Sequence, residues 1–490
     1  MQLVEAGGTE HRAIAAKRRD DVDLVRNVGL VISHVEREAQ VFLYSLGNTG
    51  LDNNVDVGSF WTRSRLRGGA LFLDLGGGSV QMTWVDTATP NYMYEAATAG
   101  SSMPYGAAKL IRVLEKQPLE TQKVEIDELG TGMKAVYDNL CVKFPALKAI
   151  RDAHERGEDA TVDVYMCGGG FRGYGTMLMH DDAIKPYPIP SISTYTVDGA
   201  KFKETQRMLN INESFDGKIY GLSKRRRKQF PAIVHVVDAF IAAVPNIGRV
   251  TFSGGSNRQG ALQMTLPPEI RESNPLEVLA NIDPLEKHMF DAGLKLLLSS
   301  LPDPSIVTKM PTILAPGLGY LFIKELWTRA GHEADTNASI SLHTSIIRDP
   351  GCPGLTHLSR ALLGIALATR WGSFLSPADA QLENGLISII KRYGSETLFW
   401  TRYLGAIAGA VAEILPFSPA SADELEQAVE FKSEIVQKEN SRVVKLSIGI
   451  ANDHARRLDK ETLIDNIKSA TKNKDEGSPK KVSVTIYERA

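Results

Sequence analysis

Cysteine is scarce in this chain. There are three in 490 residues, Cys141, Cys167 and Cys352, and they lie far apart. That spacing excludes a disulfide framework and any cysteine-based metal-ligand pattern. It fits a reducing compartment, read here as the cytoplasm. Long apolar runs are also lacking. The two most apolar stretches, Ile233–Val244 and Tyr403–Leu415, are interrupted by Asp238 and Glu413. Both fall short of the roughly 20 residues needed to span a bilayer, so they read as buried helices and no membrane is expected as a partner. The first residues are charged from Glu5 onward and have no apolar core, unlike a signal peptide. An excess of one charge is absent too: 56 Lys and Arg stand against 58 Asp and Glu, a net charge of -2. Nucleic acid is therefore not expected as a direct partner, although a local groove lined by basic groups or amides can still hold a polyanion.

What is present is length and a repeated local device. A chain of 490 residues is too long for one core and implies several domains. Ala70–Asp74 is a continuous apolar run ending in Asp, and Val80–Val85 follows it across Gly76, Gly77, Gly78 and Ser79. This predicts two strands in a hairpin with a glycine-rich turn. Thr161–Met166 reads as a strand that ends in a second glycine cluster, Cys167–Gly175. Arg249–Phe252 reads as a third strand, closed by Ser253-Gly254-Gly255-Ser256, with a helix expected to begin near Asn257 or Arg258. Helical periodicity fills Ser102–Gly157 and Phe230–Val244. After about Pro275 the glycine turns stop and helical stretches dominate. At the end, Val443–Ile450 alternates and could pair with Val482–Tyr487 in a small sheet. The expected domains are therefore 1–68, 69–275 and 276–490.

Each glycine cluster alone is also compatible with an ordinary loop. Glycine lets a backbone approach a ligand with no Cβ in the way, and converging amides form an anion nest. In the first turn, Asp74 could orient a metal-bound or attacking water while the amides of Gly76, Gly77 and Gly78 and the Ser79 hydroxyl meet phosphate oxygens. In the second, Gly168, Gly169 and Gly170 are followed by the cation Arg172. In the third, Gly255 and Ser256 precede Arg258 at an expected helix N-terminus, which attracts phosphate. Three such turns within about 180 residues are harder to explain by packing, because glycine at a strand end costs backbone entropy.

DLGGGS, SSMPYGAAKL and GLSKRRRKQFPAIVHVVDAF followed by TFSGGSNRQGAL stand in the order and spacing of the exopolyphosphatase/guanosine pentaphosphate phosphatase (Ppx/GppA) family, which the chain resembles over Ser33–Leu262. GCPGLTHLSRALLGIALATRWG and the tail resemble the family's fungal branch of retrograde regulation proteins. The resemblance implies an α/β fold of actin-like ATPase (ribonuclease H-like) lobes, followed by a mainly helical C-terminal domain with a small sheet. It implies that the first lobe is incomplete, 1–68 being its remnant, since the family's Asp-x-Gly-Ser-Asn loop is absent. It also implies a phosphorylated ligand (ATP, guanosine polyphosphate or polyphosphate), with magnesium as cofactor and Asp74 as its candidate ligand. Glu38 falls on the family's catalytic glutamate, where a carboxylate acts as general base. From the residues alone Glu38 reads as a solvent-facing helix residue.

Two departures bear on turnover. Gln81 and Gln259 stand where active members usually carry Glu, and an amide cannot hold Mg²⁺ with a charge. A regulator in retrograde, mitochondria-to-nucleus signalling, with regulatory protein partners and compatible with a homodimer, is the reading this favours. An active exopolyphosphatase is the alternative. The run Lys224–Lys228 is open to three readings: a solvated helix turn, a nuclear-import patch, or a face toward a polyanionic ligand.

Overall fold

The computed structural model describes residues 69–86, 89, 92–254, 267, 274–315, 317–328, 334–347, 354–372, 375–438, 441–472 and 477–489. These divide into two units: one holds the described residues from 69 to 183 and from 190 onward to 267, the other 184–189 and everything from 274. The expected remnant of the first lobe, residues 1–68, lies outside the described residues.

The first unit is built on a six-stranded mixed sheet. Its strands are β1 (Ala70–Leu75), β2 (Val80–Val85), β3 (Ser101–Met103), β4 (Val162–Cys167), β5 (Tyr195–Asp198) and β6 (Ile247–Phe252), in the order β3-β2-β1-β4-β6-β5. β1 and β2 form the hairpin read from the sequence, with Leu75 opposite Val80. β4 runs parallel to β1 and β6 runs parallel to β4. Parallel strands need crossovers and are covered on both faces, and β1 accordingly buries every residue except the half-buried Asp74. Helix Gly168–His180 packs on β1, β4 and β6, the long helix Leu119–Lys143 packs on β2 and β3, and the apolar helix Phe230–Ala243 packs on both helices, burying Phe230, Ile233, Val236, Val237 and Phe240. A mixed sheet with helices packed on it is the α/β arrangement that the resemblance implied for this part of the chain.

The second glycine cluster differs from its reading as a loop. Residues Gly168–His180 form a helix that starts directly at the end of β4. Glycine is a poor helix former, but Phe171, Tyr174, Met177 and Leu178 are fully buried along this helix. Tertiary burial, at about 1.5–3 kcal/mol for each large apolar side chain, outweighs the propensity deficit of about 1 kcal/mol per glycine.

The second unit is mainly helical, with a three-stranded sheet of β7 (Val429–Lys438), β8 (Ser441–Ala451) and β9 (Lys481–Arg489) in the order β7-β8-β9. β8 and β9 pair, as the C-terminal pattern suggested; they run parallel, and β7 adds an antiparallel neighbour. At its centre, helix Ser395–Ile414 packs on helix His357–Arg370. The contact is close because Gly405 has no side chain: a Cβ there would lie 2.5 Å from the Ala366 carbonyl oxygen. Arg360, 1% exposed, is satisfied by carbonyls, donating through Nε to Leu355 and through Nη1 to Ser345 and Ile346. Gly405→Ala is expected to push these helices apart and cost about 1–3 kcal/mol, the usual range for overpacking; a urea titration followed by far-UV circular dichroism measures it. Among the described residues no helix is long and apolar enough to cross a membrane.

Candidate functional site

Because β1, β4 and β6 are parallel, their C-terminal ends share one edge of the sheet. Asp74 stands opposite Cys167, and Met166 stands opposite Phe252. Gly76–Ser79, Gly168–Gly170 and Ser253-Gly254 therefore leave the sheet side by side. The next residues of the third turn, Gly255, Ser256 and Arg258, lie outside the described residues, as does Glu38.

The first turn is held by its neighbours. The Gly76 amide donates to the Ser79 carbonyl at 3.0 Å. The amides of Ala107, Ala108 and Lys109, at the start of helix Ala107–Lys116, donate to the carbonyls of Gly76 and Gly77 at 3.0–3.1 Å. This satisfies amides that a helix otherwise leaves open, and it commits them to the turn. The amides of Gly77, Gly78 and Ser79 make no hydrogen bond to a described residue, so these three remain available. Gln81 is buried, and its Nε2 donates to Ser79 Oγ at 2.8 Å and more weakly to Ser102 Oγ at 3.4 Å. With its oxygen already accepting, the Ser79 hydroxyl keeps its proton for another acceptor.

Asp74 is the carboxylate of this edge. Burial pushes its pKa up to about 6, against the opposing pull of the Arg172 guanidinium. Burial also pushes the Cys167 thiol far up, with the Asp74 charge adding to it, so Cys167 is an inert thiol here. Arg172 Nη1 reaches the Gly254 carbonyl at 3.4 Å.

A second arginine joins this edge, and the site residues read from the sequence did not include it. Lys224–Lys228 is a short helix capped by Ser223. Lys224, Arg225 and Lys228 are exposed, while Arg227 donates to the carbonyls of Asn212, Phe215 and Gly217. Arg226 instead turns toward the first turn of helix Gly168–His180, its guanidinium 3.6 Å from where a Cβ on Gly169 would stand. Burial and the neighbouring Arg172 both lower its pKa. Two guanidinium groups thus sit beside an uncapped helix N-terminus, whose dipole adds further positive potential. The signal was the basic run itself; which of its five residues faces inward depends on the helix register.

Residues 63–269 match the Ppx/GppA phosphatase family, and residues 274–486 match the RTG2 C-terminal domain. Retrograde regulation protein 2 of Saccharomyces cerevisiae is 29% identical over 360 residues, 71% of this chain. The chain spans 58% of that relative's length. Similar solved structures include a Ppx/GppA phosphatase of Aquifex aeolicus, at 16% identity and a TM-score of 0.28, covering 41% of this chain and 58% of that one. An exopolyphosphatase from Cytophaga hutchinsonii is also 16% identical, with a TM-score of 0.26 over 46% of this chain and 62% of its own. The chain thus joins a Ppx/GppA phosphatase family domain to an RTG2 C-terminal domain.

Proposed function

We propose that this sheet edge binds the phosphate groups of a phosphorylated ligand, ATP, guanosine polyphosphate or polyphosphate, and that the chain acts as a regulator in retrograde signalling. The observation that carries the reading is the convergence of the free Gly77, Gly78 and Ser79 amides with Arg172 and Arg226 at one strand edge. Amides contribute directional hydrogen bonds, and guanidinium groups contribute charge and bidentate geometry. Arg226 feels the neighbouring positive charge of Arg172, and an anion between them would offset that repulsion.

Among the described residues, magnesium fits this edge as an ion carried by the ligand's phosphates. No group of three His, Cys, Asp or Glu that could hold a metal exists among the described residues, and Asp74 is the carboxylate available to such an ion. Magnesium commonly binds in this way, through one carboxylate plus phosphates, and it would neutralise phosphate charge there. Gln81 uses its amide as a donor to two serines, which suits anion binding better than metal binding.

Isothermal titration of the full chain with ATP, guanosine pentaphosphate and polyphosphate tests the reading. At least one is expected to bind, and Arg172→Gln with Arg226→Gln is expected to weaken it by roughly tenfold to a hundredfold, since hydrogen bonds to charged groups contribute about 1.5–3 kcal/mol. No binding of any of the three by the unaltered chain would sink it. A hydrolase reading is favoured by one observation, a buried carboxyl whose pKa of about 6 lies near neutrality. Phosphate release that disappears in Glu38→Gln would establish it over the regulatory one.

A further inference from the structure

The second unit contains a cavity of about 480 Å³ whose walls carry both signs of charge. Arg370, Glu383, Arg402, Glu413, Asn466 and Lys472 line it. They come from the end of helix His357–Arg370, from helices Pro377–Lys391 and Ser395–Ile414, and from helix Lys460–Ala470 and the residues after it. Its volume suits a small molecule rather than a few waters.

These charges do not satisfy one another. Arg402 Nη2 lies 4.0 Å from Glu383 Oε1, at the limit of an ion pair and beyond hydrogen-bond distance. Arg370 donates through Nη2 to the Leu326 carbonyl at 2.9 Å, and its guanidinium lies 3.5 Å from the centre of the Trp371 ring. Its Nε is buried with no hydrogen-bond partner. Glu413 accepts from Asn466 Nδ2 at 3.2 Å and makes no ion pair with Arg370. Burial pushes both glutamates' pKa values up, and it lowers that of Arg370 to about 10. A purely structural ion pair commonly closes to contact, yet the half-buried Arg402 and Glu383 stay at the limit of pairing and Glu413 keeps part of its surface in solvent. Here two guanidinium groups and two carboxylates stand apart around an open volume, which the exposed Lys472 also lines.

We propose that this cavity is a binding site for a small zwitterion, a free amino acid or a close amino-carboxylate. The ligand's carboxylate would bridge Arg370 and Arg402, and its ammonium group would sit between Glu383 and Glu413. A ligand of one sign would pair with only one of these two sets of wall charges. Gly409 keeps one wall low: a Cβ there would lie 3.0 Å from the Arg370 carbonyl oxygen. The proposal is independent of the phosphate reading of the other unit.

The test is a thermal-shift and calorimetric screen of the full chain against the standard L-amino acids. Acetate and ethylammonium chloride at matched ionic strength serve as single-charge controls. At least one amino acid is expected to raise the melting midpoint and to bind one per chain, while neither control does so. Arg402→Met alone is expected to weaken binding by roughly tenfold or more, equivalent to about 1.4 kcal/mol per factor of ten. The double variant Arg402→Met with Glu383→Gln removes both charges of one pair, so it leaves no lone buried charge there and is expected to fold. It should lose the amino-acid response while its melting midpoint without ligand stays near that of the unaltered chain. No response to any amino acid, an equal response to acetate or ethylammonium, or an undiminished response in the double variant would each overturn the proposal.

Discussion

Gly168→Ala is expected to unfold the first unit at markedly lower denaturant, with a loss of about 2–5 kcal/mol. Two costs add. Gly168 has φ +82, a conformation that L side chains adopt at a cost of roughly 1–2 kcal/mol. A Cβ would also stand 2.0 Å from Asp74 Oδ1 and 2.5 Å from the Leu75 carbonyl oxygen, and relieving such overpacking costs about 1–3 kcal/mol more. Gly157 separates the two costs. Its φ is +83, yet nothing lies within 4 Å of where its Cβ would stand, so Gly157→Ala should lose only the conformational part. Urea titrations of both variants, followed by a signal from the first unit such as hydrogen exchange across β1 and β4, give the comparison. The idea that Gly168 exists to let the start of a helix touch the end of β1 fails if Gly168→Ala is no more destabilising than Gly157→Ala. The same contact brings the uncapped helix N-terminus beside Asp74, so the energetic and functional roles of this glycine are one geometric fact.

Much of that edge was legible in the chain. The apolar run ending at Asp74, the glycines after it and the strands ending at Met166 and Phe252 carried the argument that backbone amides gather around an anion. Parallel pairing turned three local patterns into one edge. The C-terminal alternation identified β8 and its partner β9. Other features were not legible, for identifiable reasons. The stretch from Gly168 reads as a loop on propensity, and only burial of Phe171 and Tyr174 makes it a helix. β7 went unread although Val429 and Phe431 alternate with Glu430 and Lys432, because its antiparallel pairing with β8 is what gives that alternation a buried face. Arg226 could not be separated from its basic neighbours without knowing which side of a one-turn helix faces Gly169. The cavity of the second unit draws on Arg370, Arg402 and Asn466, which no local pattern connects. Glu38, Gly255, Ser256 and Arg258 lie outside the described residues, and their roles remain those expected from the family resemblance.

Asp74→Asn is expected to stabilise the first unit at neutral pH while weakening magnesium-assisted phosphate binding. The carboxyl's pKa lies at about 6 in the folded chain, against 3.8 ordinarily, chiefly because burial disfavours the charged form. Between those two values the folded state holds more protons than the unfolded state, so the contribution of Asp74 to stability falls as pH rises. Below about pH 3 both states are protonated and the group costs nothing. Above about pH 6 the full penalty applies; a shift of about two units corresponds to roughly 3 kcal/mol as an upper bound. Asparagine keeps the shape and removes the charge. The variant should therefore match the unaltered chain near pH 3, draw ahead from pH 4 to pH 6, and hold a constant lead of about 1–3 kcal/mol above that. Chemical denaturation of both proteins at a series of pH values measures the difference directly, and calorimetric titration of ATP with and without magnesium measures the functional loss. Parallel stability curves at every pH would show that Asp74 is not held in a charge-disfavouring site. A buried carboxylate retained at such a cost is the pattern expected where a residue serves ligand binding rather than folding, and the two measurements together decide whether Asp74 is of that kind.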